Sequence, residues 1–135
     1  MPDKAFIDTN IFVYIHSVTD KEKQNVARDV LNRYDCVIST QVTNELCNVF
    51  IKKFSMPAAD IETVINAMEA SCEVALLTLE TTRNALDIQD RYGYSFYDAL
   101  ILAAALDSGC RYIISEDLQY GQLIDDKLTI INPFI

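Results

Sequence analysis

The sequence predicts an α/β sandwich with a mostly parallel five-stranded sheet flanked by helices, folded as a single domain over residues 1–135. Three observations lead there. Short apolar runs alternate with longer amphipathic segments along the whole chain. Half of the residues are hydrophobic (50%), enough for one core in a chain of this length. Only 3 Gly and 3 Pro are present, which leaves no room for a linker or low-complexity tail.

The elements follow in order. Ala5 to Asp8 reads as a short buried strand that ends on an acid, and Asn10 to His16 as a helix. Asp20 to Tyr34 is a second helix, with Val26, Val30 and Leu31 on one face and charges opposite. Cys36 to Ser39 is the next strand. Thr40 is the expected N-cap of a helix reaching about Phe54. Pro57 breaks the chain, and Ala58 to Ala70 resumes as a helix. Glu73 to Leu77 is a third strand. A helix then starts at Thr78 or Glu80 and stops near Gly93. Ser95 to Ser108 is the most apolar helix, ended by Gly109, and Arg111 to Ser115 is the fourth strand. Leu128 to Ile131 is the fifth, closed by Asn132-Pro133.

Composition narrows the function classes. No apolar run approaches the roughly 20 residues that span a bilayer, and Met1-Pro2-Asp3-Lys4 leads straight into a strand without a signal-peptide pattern. A cytoplasmic protein is expected, with no membrane partner. Cys36, Cys47, Cys72 and Cys110 form no C-x-x-C pair and sit in apolar segments, as small core residues rather than zinc ligands. Net charge is −9, from 20 acids against 11 Lys plus Arg, which is unlike the basic face of a generic nucleic-acid binder. Either nucleic acid is not the partner, or the acids surround metal ions and a local basic rim steers phosphate. A basic protein partner is the third reading.

Four acids stand beside apolar segments: Asp8, Glu45, Asp98 and Asp117. Each has a plain structural reading. Asp8 can cap the helix that follows it. Ser95-x-x-Asp98 has the form of a capping box. Asp117 can be a turn residue, with Glu116 beside it. Glu45 is less easily explained, because it lies at the edge of the face carrying Val42, Leu46 and Val49, where a lone carboxylate needs a partner. Gathered in space, the four would repel one another unless a cation sat among them. Hard oxygen donors suit Mg²⁺ or Mn²⁺. Parallel sheets place their chemistry beyond the carboxyl ends of their strands, where Asp8 and Asp117 fall.

With these pieces in view, the chain resembles the PIN-domain ribonucleases, and among them the VapC-type toxins of toxin–antitoxin pairs. The matching stretches are Phe6-Ile7-Asp8-Thr9-Asn10, Asn44-Glu45-Leu46, Tyr97-Asp98-Ala99-Leu100-Ile101, Ser115-Glu116-Asp117-Leu118-Gln119 and Ile131-Asn132-Pro133-Phe134. They span nearly the whole chain in the family's order. The resemblance implies a PIN-like three-layer sandwich and an endoribonuclease dependent on one or two Mg²⁺ or Mn²⁺ ions. It assigns the catalytic and metal-binding acids to Asp8, Glu45, Asp98 and Asp117, and supporting roles to Thr9, Asn10, Ser115 and Glu116. Which of Glu116 and Asp117 faces the metal stays open. It also implies an RNA substrate, a cognate antitoxin and a homodimer, for which Val49, Ile61, Val64 and Ile65 offer an apolar surface.

Lys21, Lys23, Lys52, Lys53 and Arg91 are the candidates for a phosphate-steering rim. His16 is expected as a surface or packed residue rather than a base. Two rival readings remain. One is a non-catalytic interaction module on the same fold. The other is a phosphotransfer protein with Asp8 as nucleophile, although Asn10 stands where such a phosphatase has a second acid.

Overall fold

In the computed structural model, which describes residues 2–135, twelve elements follow one another. They are β1 (Lys4–Ile7), α1 (Thr9–His16), α2 (Lys21–Arg33), β2 (Asp35–Ser39), α3 (Thr40–Phe54) and α4 (Ala58–Ser71). After these come β3 (Glu73–Ala75), α5 (Leu79–Tyr92), α6 (Phe96–Asp107), β4 (Tyr112–Ile114), β5 (Leu123–Ile124) and β6 (Leu128–Ile131). The strands form one sheet in the order β3-β2-β1-β4-β6-β5. Every pairing is parallel except β5 with β6. The α/β sandwich expected from the sequence is present, with six strands instead of five.

The burial of β1 shows why this is a layered sandwich. Ala5, Phe6 and Ile7 are consecutive, so they point to alternate faces of the sheet, and all three are 0% exposed. Both faces are therefore covered, as parallel sheets require. On the helical side, α5 packs against α6, and α1 against α2 and α3. Helix α6 is nearly all apolar because it is buried all round: Ala99 through Ala105 are without exception core residues. The four cysteines are free, with Cys36 and Cys110 buried and Cys47 and Cys72 half-buried.

The strand order places the site. From β1 the chain builds outward through β2 to β3, then returns to the other side of β1 with β4. The direction of winding thus reverses between β1 and β4, and the crevice past the carboxyl ends of those strands is where open α/β sheets bind ligands. The two ends are tied together, since the Asp8 amide donates to the Ile114 carbonyl at 3.0 Å.

Local chemistry sets the boundaries. Asp20 caps α2 by accepting from the Lys23 amide at 3.0 Å, and Thr78 caps α5 in a reciprocal box with Thr81. Gly93 closes α5 in the left-handed region, at φ 80°. The expected cap at Thr40 moves by one residue: Ser39 is the N-cap of α3, its hydroxyl makes no capping bond, and Thr40 is the first helical residue. The additional strand β5 pairs with β6 through a tight turn in which Asp125 and Asp126 both have positive φ, 51° and 56°. That is the backbone of a hairpin turn usually built on Asn-Gly or Asp-Gly. Among the described residues no helix is long and apolar enough to cross a membrane.

Candidate metal centre

Asp8, Glu45, Asp98 and Asp117 all line one cleft of about 560 Å³ at the β1/β4 switch point. They reach it from four places: the end of β1, the middle of α3, the first turn of α6 and the loop after β4.

Asp8 lies deepest, 6% exposed. It is the N-cap of α1, as one sequence reading held, and its Oδ1 accepts from the Thr9 amide at 2.7 Å. Its Oδ2 accepts from the fully buried Ser115 hydroxyl, also at 2.7 Å. Those bonds favour the charged carboxylate, but burial outweighs them, and Glu45 and Asp117 add repulsion. Its pKa is raised from 3.8 to about 6. Asp8 is thus a carboxylate short of positive charge.

Around it the other acids are held in place by neutral donors. The Thr9 hydroxyl donates to Glu45 Oε1 at 2.8 Å. Gln41, one helical turn earlier on α3, reaches Glu45 Oε2 with Nε2 at 3.4 Å and the Tyr97 carbonyl at 3.2 Å. Asn10 donates to Asp117 Oδ2 at 3.0 Å and accepts from the Glu116 amide at 3.3 Å. Ser115 also accepts from the Asp117 amide at 3.2 Å, so one hydroxyl joins the β4 loop to Asp8. Asp98 is different. Only the backbone half of its capping box is present, with the amide donating to Ser95 Oγ at 3.3 Å. Among the described residues its carboxylate accepts no hydrogen bond.

Glu116 and Asp117, left open by the sequence, part company here. Asp117 lines the cleft. Glu116 is not among the lining residues; it accepts from Tyr14 at 2.6 Å and pairs with Lys23. Burial pushes its carboxyl up, but those two partners hold it below the ordinary value overall. Lys23 is therefore engaged and not free to steer phosphate. Arg91 is likewise engaged, with Asp87 and Asp125, at a distance from the cleft lining. Of the five candidate cations, only Lys53 lines the cleft. His16 is packed edge-on against Phe50, centroids 5.2 Å apart, and its pKa is lowered by burial and by Arg28. Ile61 is buried in the core, Val64 and Ile65 are half-buried against that core, and Val49 is half-buried and lines the cleft.

Two contributors were not read from the sequence. Gln41 was signalled by its spacing of one turn from Glu45, the separation at which helical side chains meet. The Tyr14–Lys23–Glu116 lock joins residues that are remote in sequence and has no local signature.

The donor set suits a hard divalent cation. Every ligand-capable acid in the cleft offers carboxylate oxygen, with hydroxyls and amides behind, and no thiol or imidazole among the lining residues. As the side chains stand, no three acidic, histidine or cysteine residues among those described converge closely enough to hold one ion. Asp8, Glu45 and Asp117 each rest on their own donors, and Asp98 on none among the described residues. Ser115→Ala is expected to lower stability by about 1–3 kcal/mol, because it removes a donor from a buried carboxylate. The urea midpoint should fall with an unchanged slope, and an unaltered midpoint would show that Asp8 does not depend on that hydroxyl.

Comparison with known proteins gives the same frame. The chain superposes on a toxin–antitoxin complex from Klebsiella pneumoniae with TM-score 0.72 and 19% identity, over 96% of this chain and 97% of that one. It superposes on VapC20 of Mycobacterium tuberculosis, described as a sarcin-ricin loop cleaving toxin, with TM-score 0.68 and 17% identity over 84% and 91%. For VapBC2 of Rickettsia felis, solved with a fragment of promoter DNA, the values are 0.65 and 16% over 96% and 99%. At such identities the likeness is one of fold. No curated protein matches the sequence significantly. The pattern of the PIN domain covers residues 5–123, and the chain belongs to the PIN-domain family.

Proposed function

We propose that the protein is a Mg²⁺- or Mn²⁺-dependent endoribonuclease acting as the toxin of a toxin–antitoxin pair. The observation that carries this reading is the gathering of Asp8, Glu45, Asp98 and Asp117 in one cleft at the switch point of a PIN fold. Those four would hold one or two ions. A divalent ion in such a place supplies charge neutralisation and Lewis acidity toward a phosphodiester.

The chain's own residues do the rest. Ser115 and the Thr9 amide fix both oxygens of Asp8, so its carboxylate keeps one orientation. The Thr9 hydroxyl and Gln41 do the same for Glu45, and Asn10 for Asp117. Asp98, without a competing donor, is the carboxylate readiest to turn toward an incoming cation or water. Val13, Val49 and Ile101 give the cleft apolar walls, and Lys53 offers a positive charge to a phosphate there. Hydrolysis with departure of the 3′ oxygen leaves 5′-phosphate and 3′-hydroxyl ends. The fold likeness to solved toxin–antitoxin complexes supports a protein inhibitor as partner. An arginine from such a partner would replace the cation's charge among the carboxylates. A homodimer and a cytoplasmic location complete the proposal. Phosphotransfer through Asp8 is less well supported, because both of its oxygens already carry hydrogen bonds.

Metal titration tests this reading. Mg²⁺ or Mn²⁺ bound only by the native state should raise the melting temperature, by the equivalent of about 3 kcal/mol at a hundred times its dissociation constant. A melting curve indifferent to millimolar metal, with and without RNA, would remove the basis for a metal nuclease.

A further inference from the structure

The acidic cleft continues into a second groove of about 460 Å³, and the two share Glu45 and Asn48. The lining changes character along the way. Tyr97, Leu77 and Leu100 give the second groove apolar surface, and Gln41, Asn44 and Asn48 give it amides. Among the described residues, Glu45 is the only carboxylate that lines it, and no lysine or arginine does.

Tyr97 is 66% exposed, although it follows the first residue of the most buried helix in the protein. Its ring is not loose. It rests edge-on against Phe96, centroids 5.5 Å apart, and its carbonyl is held by Gln41. The Gln41 amide is oriented by its two acceptors, Glu45 Oε2 and the Tyr97 carbonyl, which must both face Nε2. Gln41 Oε1 is then left buried without a partner among the described residues. An aromatic face is thus presented one residue before Asp98, beside the exposed amides of Asn44 and Asn48.

Such a groove is unsuited to phosphate, which is bound by lysine and arginine. Among the described residues Lys53 is the single cation lining either groove, and the chain carries net charge −9. Affinity for an RNA strand must then come largely from its bases. Unpaired bases are held by stacking on aromatic side chains and by hydrogen bonds to their edges. We propose that this groove is a nucleobase subsite, in which an unpaired base next to the scissile phosphate stacks on Tyr97 and is read at its edge by Asn44 and Asn48. The proposal rests on the ribonuclease reading and names where that enzyme would take its specificity.

The chain contains no tryptophan, so Tyr97→Trp creates a single reporter. The probes are a mixed-sequence ten-nucleotide single-stranded RNA and a ribose-phosphate ten-mer lacking bases, with Ca²⁺ as the divalent ion. The RNA should quench the indole emission and the abasic strand should not. By fluorescence anisotropy, Tyr97→Ala should weaken RNA binding about tenfold, whereas Tyr97→Phe, which keeps the stacking face, should bind as wild type does. Raising KCl from 50 to 200 mM should cost less than about tenfold, far below the loss seen where many phosphates are neutralised. Equal binding of the abasic strand, or an unchanged affinity in Tyr97→Ala, would overturn the subsite. So would a Tyr97→Ala variant that alters the size of the protein on gel filtration and leaves RNA affinity intact, since the face would then serve a second copy. If wild type cleaves cellular RNA and Tyr97→Ala cleaves it equally well with the same products, only the subsite fails. If wild type neither binds nor cleaves RNA, the ribonuclease reading itself fails.

Discussion

Asp98→Asn is expected to abolish metal-dependent RNA cleavage while leaving the fold intact. The loss should exceed the roughly 10–100-fold that follows when a partner behind a metal ligand is removed, because a ligand itself is lost. The structural reason for the selectivity is the isolation of this side chain. Its amide is tied to Ser95, but its carboxylate has no hydrogen-bond partner among the described residues, so nothing in the fold is broken by neutralising it. What disappears is a favourable charge in the first turn of α6, which is worth less than about 1 kcal/mol. Activity should therefore collapse while the denaturation midpoint hardly moves. Full turnover in a folded Asp98→Asn protein would take this residue out of the site.

Asp8 should give the largest effect of pH on stability in the metal-free protein. Its folded pKa, about 6, lies above its ordinary value of 3.8. Between those two values the native state holds the proton more tightly than the unfolded chain. The contribution of Asp8 to stability is then greatest below about pH 4, falls as pH rises toward 6, and levels off above it. A shift of this size corresponds to about 3 kcal/mol. Asp8→Asn should remove that fall, because Asn still accepts from the Thr9 amide as an N-cap and carries no charge to bury. At pH 8 the variant should melt several degrees higher than metal-free wild type, yet gain nothing from Mg²⁺ and cleave nothing. Urea titrations of both proteins across pH 4–8 would show it. Parallel pH profiles for the two would contradict the account of Asp8 as a strained, desolvated carboxylate.

The parts of this architecture that local chemistry dictates were legible in the sequence. Phe6 and Ile7 mark a buried strand because consecutive apolar residues fill both faces. Ser95 and Gly93 mark the boundaries of α6 and α5 by capping and by a left-handed turn. Asp8 and Asp117 could be brought together on topology alone, since each follows a strand and those strands are neighbours. The rest depended on contacts between distant elements. Strand β5 escaped notice because Asp125 and Asp126 adopt positive φ without a glycine to announce it, with Arg91 and Tyr92 holding the Asp125 side chain. The division of labour between Glu116 and Asp117 is decided by Tyr14 and Lys23 on α1 and α2. The same pairing withdraws Lys23 from the expected phosphate rim, as Asp87 and Asp125 withdraw Arg91. Charge alone could not foresee which cations were already partnered.

The most direct measurement is cleavage of total cellular RNA by the purified protein in Mn²⁺, Mg²⁺ or EDTA, with Asp98→Asn as control and the ends of the products mapped. The account predicts discrete fragments with 5′-phosphate and 3′-hydroxyl ends, from wild type alone and only with metal. Fragments that persist in EDTA, or that Asp98→Asn produces equally well, would contradict it.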